Sequence, residues 1–447
     1  MILDYLKFYS GIAIIDHERS YSYPELLEEI NNIKQKLIDL VNPGDVVAIQ
    51  SDYTFKSIAF LFALYDLKCI IVPIVPTNDE ERILKVDISR SKYSIRLFKN
   101  DFEIEQNNLK TERTYDTYIN LIEKNRPGLV IFSSGTSGAP KVMVHDLQNL
   151  IDLFTVPKKQ RSIIFLIFLL FDHIGGINTL INTLLSGASA VITADRSPDK
   201  ILFLIEKFKI QVLPTTPTFL NLLLMNENFS SAKVSSLKLI SYGTERMSRS
   251  LLSRVRHSFP GAKLLQTFGT SETGILKTVS KDSDSLYFKI EDKNTNCKIE
   301  NNELFIRSEG NVKQYENWDN SSFLNDGWFA TGDIVEQDDE GFIKIIGRKN
   351  EVINVGGLKV MPIEVESIIN DISGVISCQV YPIENAITGF VVGANIVVDK
   401  TKTFDEFKIS ILRTCALKME KYKIPKKINF GYKLNYTNRF KIGNFEK

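Results

Sequence analysis

Apolar positions in this chain recur at two spacings, and the spacing changes along its length. Over residues 22–40, SYPELLEEINNIKQKLIDL, Leu26, Ile30, Ile33 and Leu37 fall three or four apart, which lines them along one face of a helix. Ser22 and Glu25 stand at capping-box spacing at its start. The short runs VVAIQ, CIIVPIV, LVIFSS, IIFLIFLL, SAVIT and LKLISYG are apolar without alternation, so they predict strands covered on both faces. Helical stretches such as TFKSIAFLFALYDL separate most of them. That order predicts an α/β fold, with right-handed crossovers placing helices on the faces of parallel-rich sheets. The most apolar run, Ile163 to Phe171, is far shorter than the ~20 residues a helix needs to span a bilayer.

After Arg348 the pattern changes. EVESIIN and FDEFKISILRTCALKME read as helices, and VISCQVY, VVGANIVV and KINFGYK as strands. These predict a small α+β unit of about a hundred residues, an ordinary domain size. The expected division is a large unit 1–348 and a small unit 349–447.

Composition narrows the function classes. Lys plus Arg is 55 against 54 for Asp plus Glu, a formal net charge of +1, so no global field draws nucleic acid or an anionic membrane. Cys69, Cys297, Cys378 and Cys415 have no CxxC spacing and no histidine cluster, which argues against a zinc site or a disulfide framework. The start, MILDYLKFYSG, lacks the basic and apolar regions of a secretion signal, so a cytoplasmic location is expected.

The most informative stretch is IFSSGTSGAPKVMVH, Ile131 to His145. Glycines free the backbone to turn its N–H groups inward, Ser and Thr hydroxyls add donors, and Lys141 supplies a point charge, a combination suited to polyphosphate. In the nucleotide loop GxxxxGK[ST] the lysine directly follows glycine, whereas Ala139 and Pro140 intervene here. That spacing disfavours a kinase-like NTPase.

SSGTSGAPK resembles the phosphate loop of the adenylate-forming superfamily, which comprises acyl-CoA and aryl-CoA synthetases, luciferases and peptide-synthetase adenylation domains. LLQTFGTSETG resembles that family's aromatic-glycine-x-[TS]-glutamate segment, and NDGWFATGDIVEQDDEGFIKIIGRKNEVINVGGLKVMPIEVESII, Asn325 to Ile369, its longest block. YTNRFKIGNFEK resembles the terminal TxxGKI segment, with Phe440 where the family has glycine.

The resemblance implies nucleotide contacts at Ser133, Ser134, Gly135, Thr136, Ser137, Gly138 and Lys141 of the first loop. It adds Tyr242, Gly243, Thr244 and Glu245, then Thr267, Phe268, Gly269, Thr270 and Ser271. Phe268 would lie against adenine, Glu272 and Thr136 would hold Mg²⁺, Asp333 would take the ribose hydroxyls, and Arg348 would lie at the nucleotide. Lys441 is the implied catalytic lysine, Asn350 the pivot of the small unit, and Gly356 and Gly357 the lining of a thiol tunnel.

FDHIGG resembles the HxxG segment of the CoA ligases through His173 and Gly176, while Asp172 mimics the aspartate that takes the amino group in peptide-synthetase domains. The register to Gly187 favours His173, hence an acid without an α-amino group. The acid pocket is expected from His173, Ile174, Gly175, Gly176, Thr215, Thr216 and Phe219, beside Tyr242 and Gly243.

The implied activity is attack of a carboxylate on ATP to give an acyl-adenylate, followed by transfer to the thiol of coenzyme A. The implied partners are ATP, Mg²⁺, a small carboxylic acid and coenzyme A. Two alternatives stay open: an adenylating enzyme that loads the phosphopantetheine of an acyl carrier protein, and a non-catalytic nucleotide-binding relative.

Overall fold

The computed structural model describes residues 2–75, 78–98, 101–109, 114–133, 140–154 and 160–433. Ser22 caps the helix Tyr23–Leu37 through a complete capping box with Glu25, and Leu26, Ile30, Ile33 and Leu37 are buried on its inner face. Thr54 caps the helix Phe55–Asp66 in the same manner, with Ser57 as its partner. The unalternated runs form the predicted strands. Val46–Gln50, Ile70–Ile74 and Gly128–Ser133 lie in one sheet, parallel to each other and to Tyr93–Leu97. Two antiparallel strands, Phe102–Gln106 and Lys141–Asp146, close its edges.

A second sheet runs in the order Lys263–Gln266, Leu239–Tyr242, Val212–Thr215, Ile164–Ile167, Ser189–Ile192, Ile12–Asp16 and Arg19–Ser22, with only the last pair antiparallel. The apolar run after Ile163 is shorter as a strand than its composition implies. Strand pairing stops at Ile167, and Phe168 and Phe171 turn into two different cores.

A third sheet was not anticipated. Six antiparallel strands between Thr278 and Arg348 include Glu303–Ser308, Phe329–Gln337 and Ile343–Arg348. The small unit follows the sequence closely. Helices Pro362–Asn370 and Phe404–Lys418 accompany the strands Val375–Asn385, Gly389–Val398 and Lys427–Gly431, around a core of its own. Among the described residues no helix is long and apolar enough to cross a membrane.

Parallel strands leave their carboxyl ends on one side, where the loops that follow converge. Thr215, Tyr242 and Gln266 end three adjacent strands in one register row. Ser133 and Lys141 face each other across the hairpin that carries the glycine-rich loop.

Candidate functional site

Lys141 opens its strand with Nζ 4.4 Å from the centre of the Tyr315 ring and 5.5 Å from that of Trp318. Segment 315–317 is laced to the same strand. Val142 N–H donates to Asn317 Oδ1 at 2.8 Å, Asn317 Nδ2 donates to the Pro140 carbonyl at 2.9 Å, and Glu316 N–H donates to the Val142 carbonyl at 3.0 Å. The Tyr315 hydroxyl donates to Glu272 Oε1 at 2.6 Å. One phenol therefore touches both the lysine and the glutamate that the sequence singles out. Burial, reinforced by the Glu272 charge, pushes the Tyr315 hydroxyl pKa upward, so it stays a donor.

Glu272 sits in a turn built by threonines. Thr270 N–H donates to Thr273 Oγ1, and the Glu272 and Thr273 N–H groups donate to Thr270 Oγ1. Val312 N–H takes the Glu272 carbonyl at 2.9 Å. His145, 1% exposed, places Nε2 2.8 Å from the Ser271 carbonyl. Since a carbonyl only accepts, Nε2 carries the proton, and burial holds the imidazole pKa down to about 4. The ring is neutral and acts as a structural donor. Sequence reasoning missed both His145 and Tyr315. His145 closed the loop motif but carried no signal of its own, and Tyr315 lies outside every motif.

Asp333 and Arg348 are register partners on neighbouring antiparallel strands, and Arg348 Nε donates to Asp333 Oδ1 at 2.9 Å. Burial raises the Asp333 carboxyl pKa, while the Arg348 guanidinium opposes the rise. Arg348 also feels the Glu272 charge, which puts both carboxylates in one electrostatic neighbourhood. Gly332, at φ 73°, turns the backbone just before Asp333.

At the ends of the parallel strands, Gly243 is obligatory, because a Cβ there would meet Thr267 Oγ1 at 2.5 Å and the Thr267 carbonyl at 2.9 Å. Thr244 holds φ 66°, a left-handed conformation that β-branched residues rarely adopt. Glu245 accepts from Thr218 N–H at 3.2 Å. Thr215 Oγ1, Thr244 Oγ1 and Gln266 Oε1 are buried here with no hydrogen-bond partner among the described residues. Buried polar atoms are nearly always paired, so three such oxygens at and just beyond the strand ends suit a polar ligand that supplies their partners. Gln266 was also missed, although it lies within LLQTFGTSETG, one residue before the first implied nucleotide contact, Thr267.

The other predicted residues take the following places. Phe268 is 5% exposed and stacks on Phe288 at 5.8 Å in the core beneath the antiparallel sheet. Ile174 and Phe219, expected in the acid pocket, are 1% and 0% exposed and belong to core clusters. Thr216 caps the helix Pro217–Met225 by accepting from Phe219 N–H. His173 caps the helix Ile174–Leu185, with Nδ1 accepting from Gly175 N–H at 3.0 Å. Gly176 is a close-approach position, since a Cβ would lie 2.4 Å from the Leu170 carbonyl and 2.8 Å from the Tyr53 hydroxyl.

Asp172, 1% exposed, forms an ion pair with the equally buried Lys85 at 3.1 Å. Gly356 and Gly357 form the tip of the hairpin Ile353–Val355 and Leu358–Val360, at φ 59° and 88°. Asn350 lies in the 3₁₀ turn Lys349–Glu351. Ser134, Gly135, Thr136, Ser137, Gly138 and Lys441, with Phe440, lie outside the described residues.

A Mg²⁺ ion suits this donor set. One hard carboxylate with phosphate and water completes a typical magnesium shell, and Glu272 is available beside Lys141. Among the described residues no group of three or more His, Cys, Asp or Glu could hold a metal, which a softer or protein-caged ion would need.

Known proteins resemble this chain in sequence and in fold. The family model described as AMP-binding enzyme matches residues 7–315, well over half of the chain. An indoleacetate–CoA ligase of Aromatoleum aromaticum is 27% identical over 341 residues, covering 71% of this chain and 66% of that enzyme. A 2-succinylbenzoate–CoA ligase of Staphylococcus epidermidis is 25% identical over 455 residues, covering 96% of this chain and 93% of that enzyme. The fold matches that of the anthranilate CoA ligase AuaEII in complex with anthranoyl-AMP at TM-score 0.82 and 20% identity, over 99% of this chain and 95% of the other.

Proposed function

The chain belongs to the AMP-binding enzyme family, and from that premise we propose that it is an AMP-forming acid–thiol ligase, activating a carboxylic acid with ATP and passing the acyl group to coenzyme A. The observation that carries the reading is the Tyr315 phenol, which contacts Lys141 with its ring and Glu272 with its hydroxyl, within electrostatic reach of the Asp333–Arg348 pair.

A carboxylic acid, with pKa ~4–5, is already ionised at neutral pH, so the first step needs no general base. One carboxylate oxygen bonds to the α-phosphorus of ATP, the bond to the bridging oxygen breaks, and pyrophosphate leaves. The obstacle is the approach of one anion to another, and oriented positive charge lowers it. Lys141 offers that charge to the phosphates, and Asp333 offers two acceptor oxygens to the ribose diol. Glu272 and Thr136 would hold Mg²⁺, which when bound neutralises phosphate charge. Lys441 is the residue we assign to the carboxylate and α-phosphate. In the second step a thiolate sulfur bonds to the acyl carbon, the acyl–phosphate oxygen bond breaks, and AMP leaves.

The small unit, residues 349–447, would turn about Asn350 between the two steps, and Gly356 and Gly357 would admit the pantetheine arm, where a missing Cβ leaves room. Two relatives being CoA ligases for arylalkanoic and aryl acids supports a small acid and coenzyme A as acceptor. The pairing of Asp172 with Lys85 supports an acid without an α-amino group, because that carboxylate already has an ammonium partner. A reaction that consumes ATP and coenzyme A is assigned to the cytoplasm. The test offers the purified chain ATP, Mg²⁺ and a panel of aryl and short aliphatic acids, with coenzyme A in one arm and a phosphopantetheinylated carrier in the other. Thioester on coenzyme A, read by mass spectrometry, is expected; thioester on the carrier alone would reassign the acceptor, and AMP from neither arm would overturn the reading.

A further inference from the structure

Three ion pairs crowd the junction between the two units. Arg348 Nε reaches Asp333 Oδ1 at 2.9 Å and Lys349 Nζ reaches Glu303 Oε2 at 2.9 Å, and both acids lie on the antiparallel sheet of the large unit. Glu351 pairs with Arg246, on the loop that follows the strand Leu239–Tyr242. Asn350 lies between these residues in the 3₁₀ turn Lys349–Glu351. The three pairs are not equivalent with respect to a rotation at Asn350. Arg348 and Lys349 precede the pivot, Lys349 as the first residue of the small unit, and neither is carried by a rotation at Asn350. Glu351 follows it and moves with the small unit, so the Arg246–Glu351 pair is the one that must open.

Arg246 is placed for more than this single contact. Its charge acts on the Asp333 carboxyl of the large unit and on Glu366, on the helix Pro362–Asn370 of the small unit. Its side chain is 23% exposed and that of Glu351 is 44% exposed, so water can replace either partner and the pair can break without stranding a buried charge. A second contact joins the same surfaces, from Asn221 Nδ2 to the Ile376 carbonyl at 3.2 Å, with Asn221 steadied by Arg254 at 3.0 Å. That contact involves a neutral amide, which leaves Arg246–Glu351 as the charged fastening that crosses the pivot among the described residues. Met247 on the same loop is buried in the core of the large unit, so Arg246 has a fixed base.

We infer that Arg246 is a positioning residue that latches the small unit to the large one through Glu351, and that opening this latch sets how readily the chain passes between its two half-reactions. The consequence for the half-reactions rests on the ligase reading; the latch itself does not. The test is hydrogen–deuterium exchange of the backbone amides of residues 349–360 in Arg246→Met, Glu351→Gln and the double variant, with Arg246→Lys as conservative control.

Each neutralising single is expected to speed exchange about five-fold, the scale of a partly exposed ion pair. The double should be no faster than the faster single, because both changes remove one interaction. Arg246→Lys should restore most of the protection. Unchanged exchange in both singles, or a double that multiplies their effects, would overturn the inference. Should Arg246→Met fail to fold, Glu351→Gln and Arg246→Lys carry the same comparison. In the active chain, both singles should shift the ratio of thioester formation to pyrophosphate exchange by the same factor. A fall of both rates together, with exchange altered as expected, would count against the link to turnover and leave the ligase chemistry standing.

Discussion

The deeply buried imidazole of His145 offers the sharpest quantitative test of how the Glu272 turn is held. Its Nε2 faces the Ser271 carbonyl at 2.8 Å, and burial lowers its pKa from 6.5 to about 4. At ~1.4 kcal/mol per pH unit, that drop is worth roughly 3 kcal/mol of folding free energy. The folded pKa lies below the unfolded one, so the stabilisation is fully present above pH 6.5 and drains away as the pH falls from there toward 4. Glutamine at 145 keeps an N–H donor for the carbonyl and cannot take up the proton.

Between pH 7.5 and 4.5 the native chain should therefore lose about 2–3 kcal/mol more stability than His145→Gln, with the other titrating groups cancelling in the difference. Guanidinium unfolding at the two pH values measures the loss. A ¹³C-imidazole NMR titration resolves the ring itself among only 4 histidines. A His145 resonance that titrates near pH 6.5, or identical pH slopes for the two proteins, would refute the buried neutral donor.

Other perturbations have equally definite outcomes. Tyr315→Phe removes the hydrogen bond to Glu272, worth about 1.5–3 kcal/mol when one partner is charged, and should cut turnover about ten-fold or more while lowering the thermal midpoint by only a few degrees. Asp333→Asn should raise the KM for ATP about ten-fold or more in steady-state assays, because a weaker acceptor would face the ribose and Arg348 loses its counter-charge. Gly176→Ala should lower the thermal midpoint by several degrees in calorimetry, because its Cβ would press on the Leu170 carbonyl from 2.4 Å.

Burial pushes the Glu366 carboxyl up to about 7 from 4.5, so its folded pKa exceeds the unfolded one and stability declines as the pH rises between those values. Glu366→Gln should flatten that decline, which thermal midpoints at pH 5 and 8 would register. Lys441→Ala should nearly abolish pyrophosphate exchange and spare thioester formation from a supplied acyl-adenylate; equal loss of both would remove its assigned role.

Much of the framework is legible in the sequence because it is written in local terms. The capping box at Ser22 and Glu25, the unalternated runs at Val46–Gln50 and Ile70–Ile74, and the helix Phe404–Lys418 each depend on neighbours within a few residues. The antiparallel sheet is different. Strands as short as Thr278–Ser280 and Phe288–Ile290 carry too few positions for a period to register, and their pairing is settled by partners such as Ile343, more than fifty residues away.

The site divides along the same line. Lys141, Glu272, Asp333 and Arg348 announce themselves through motif spacing. Tyr315 and His145, which bind those segments to one another, act through contacts at long sequence separation that no window contains. Ile174 and Phe219, apolar residues beside a motif, are packed in the core clusters, a placement that only the fold reveals.

The central claim is that separate segments of the chain gather around one triphosphate and make it react with a carboxylate. Acid-dependent exchange of labelled pyrophosphate into ATP measures that step alone, with no thiol present. The account predicts exchange that requires Mg²⁺ and at least one acid of the aryl or short aliphatic panel, and that collapses in Glu272→Gln and Lys141→Met. Exchange absent with every acid, or unaffected by both substitutions, would contradict it.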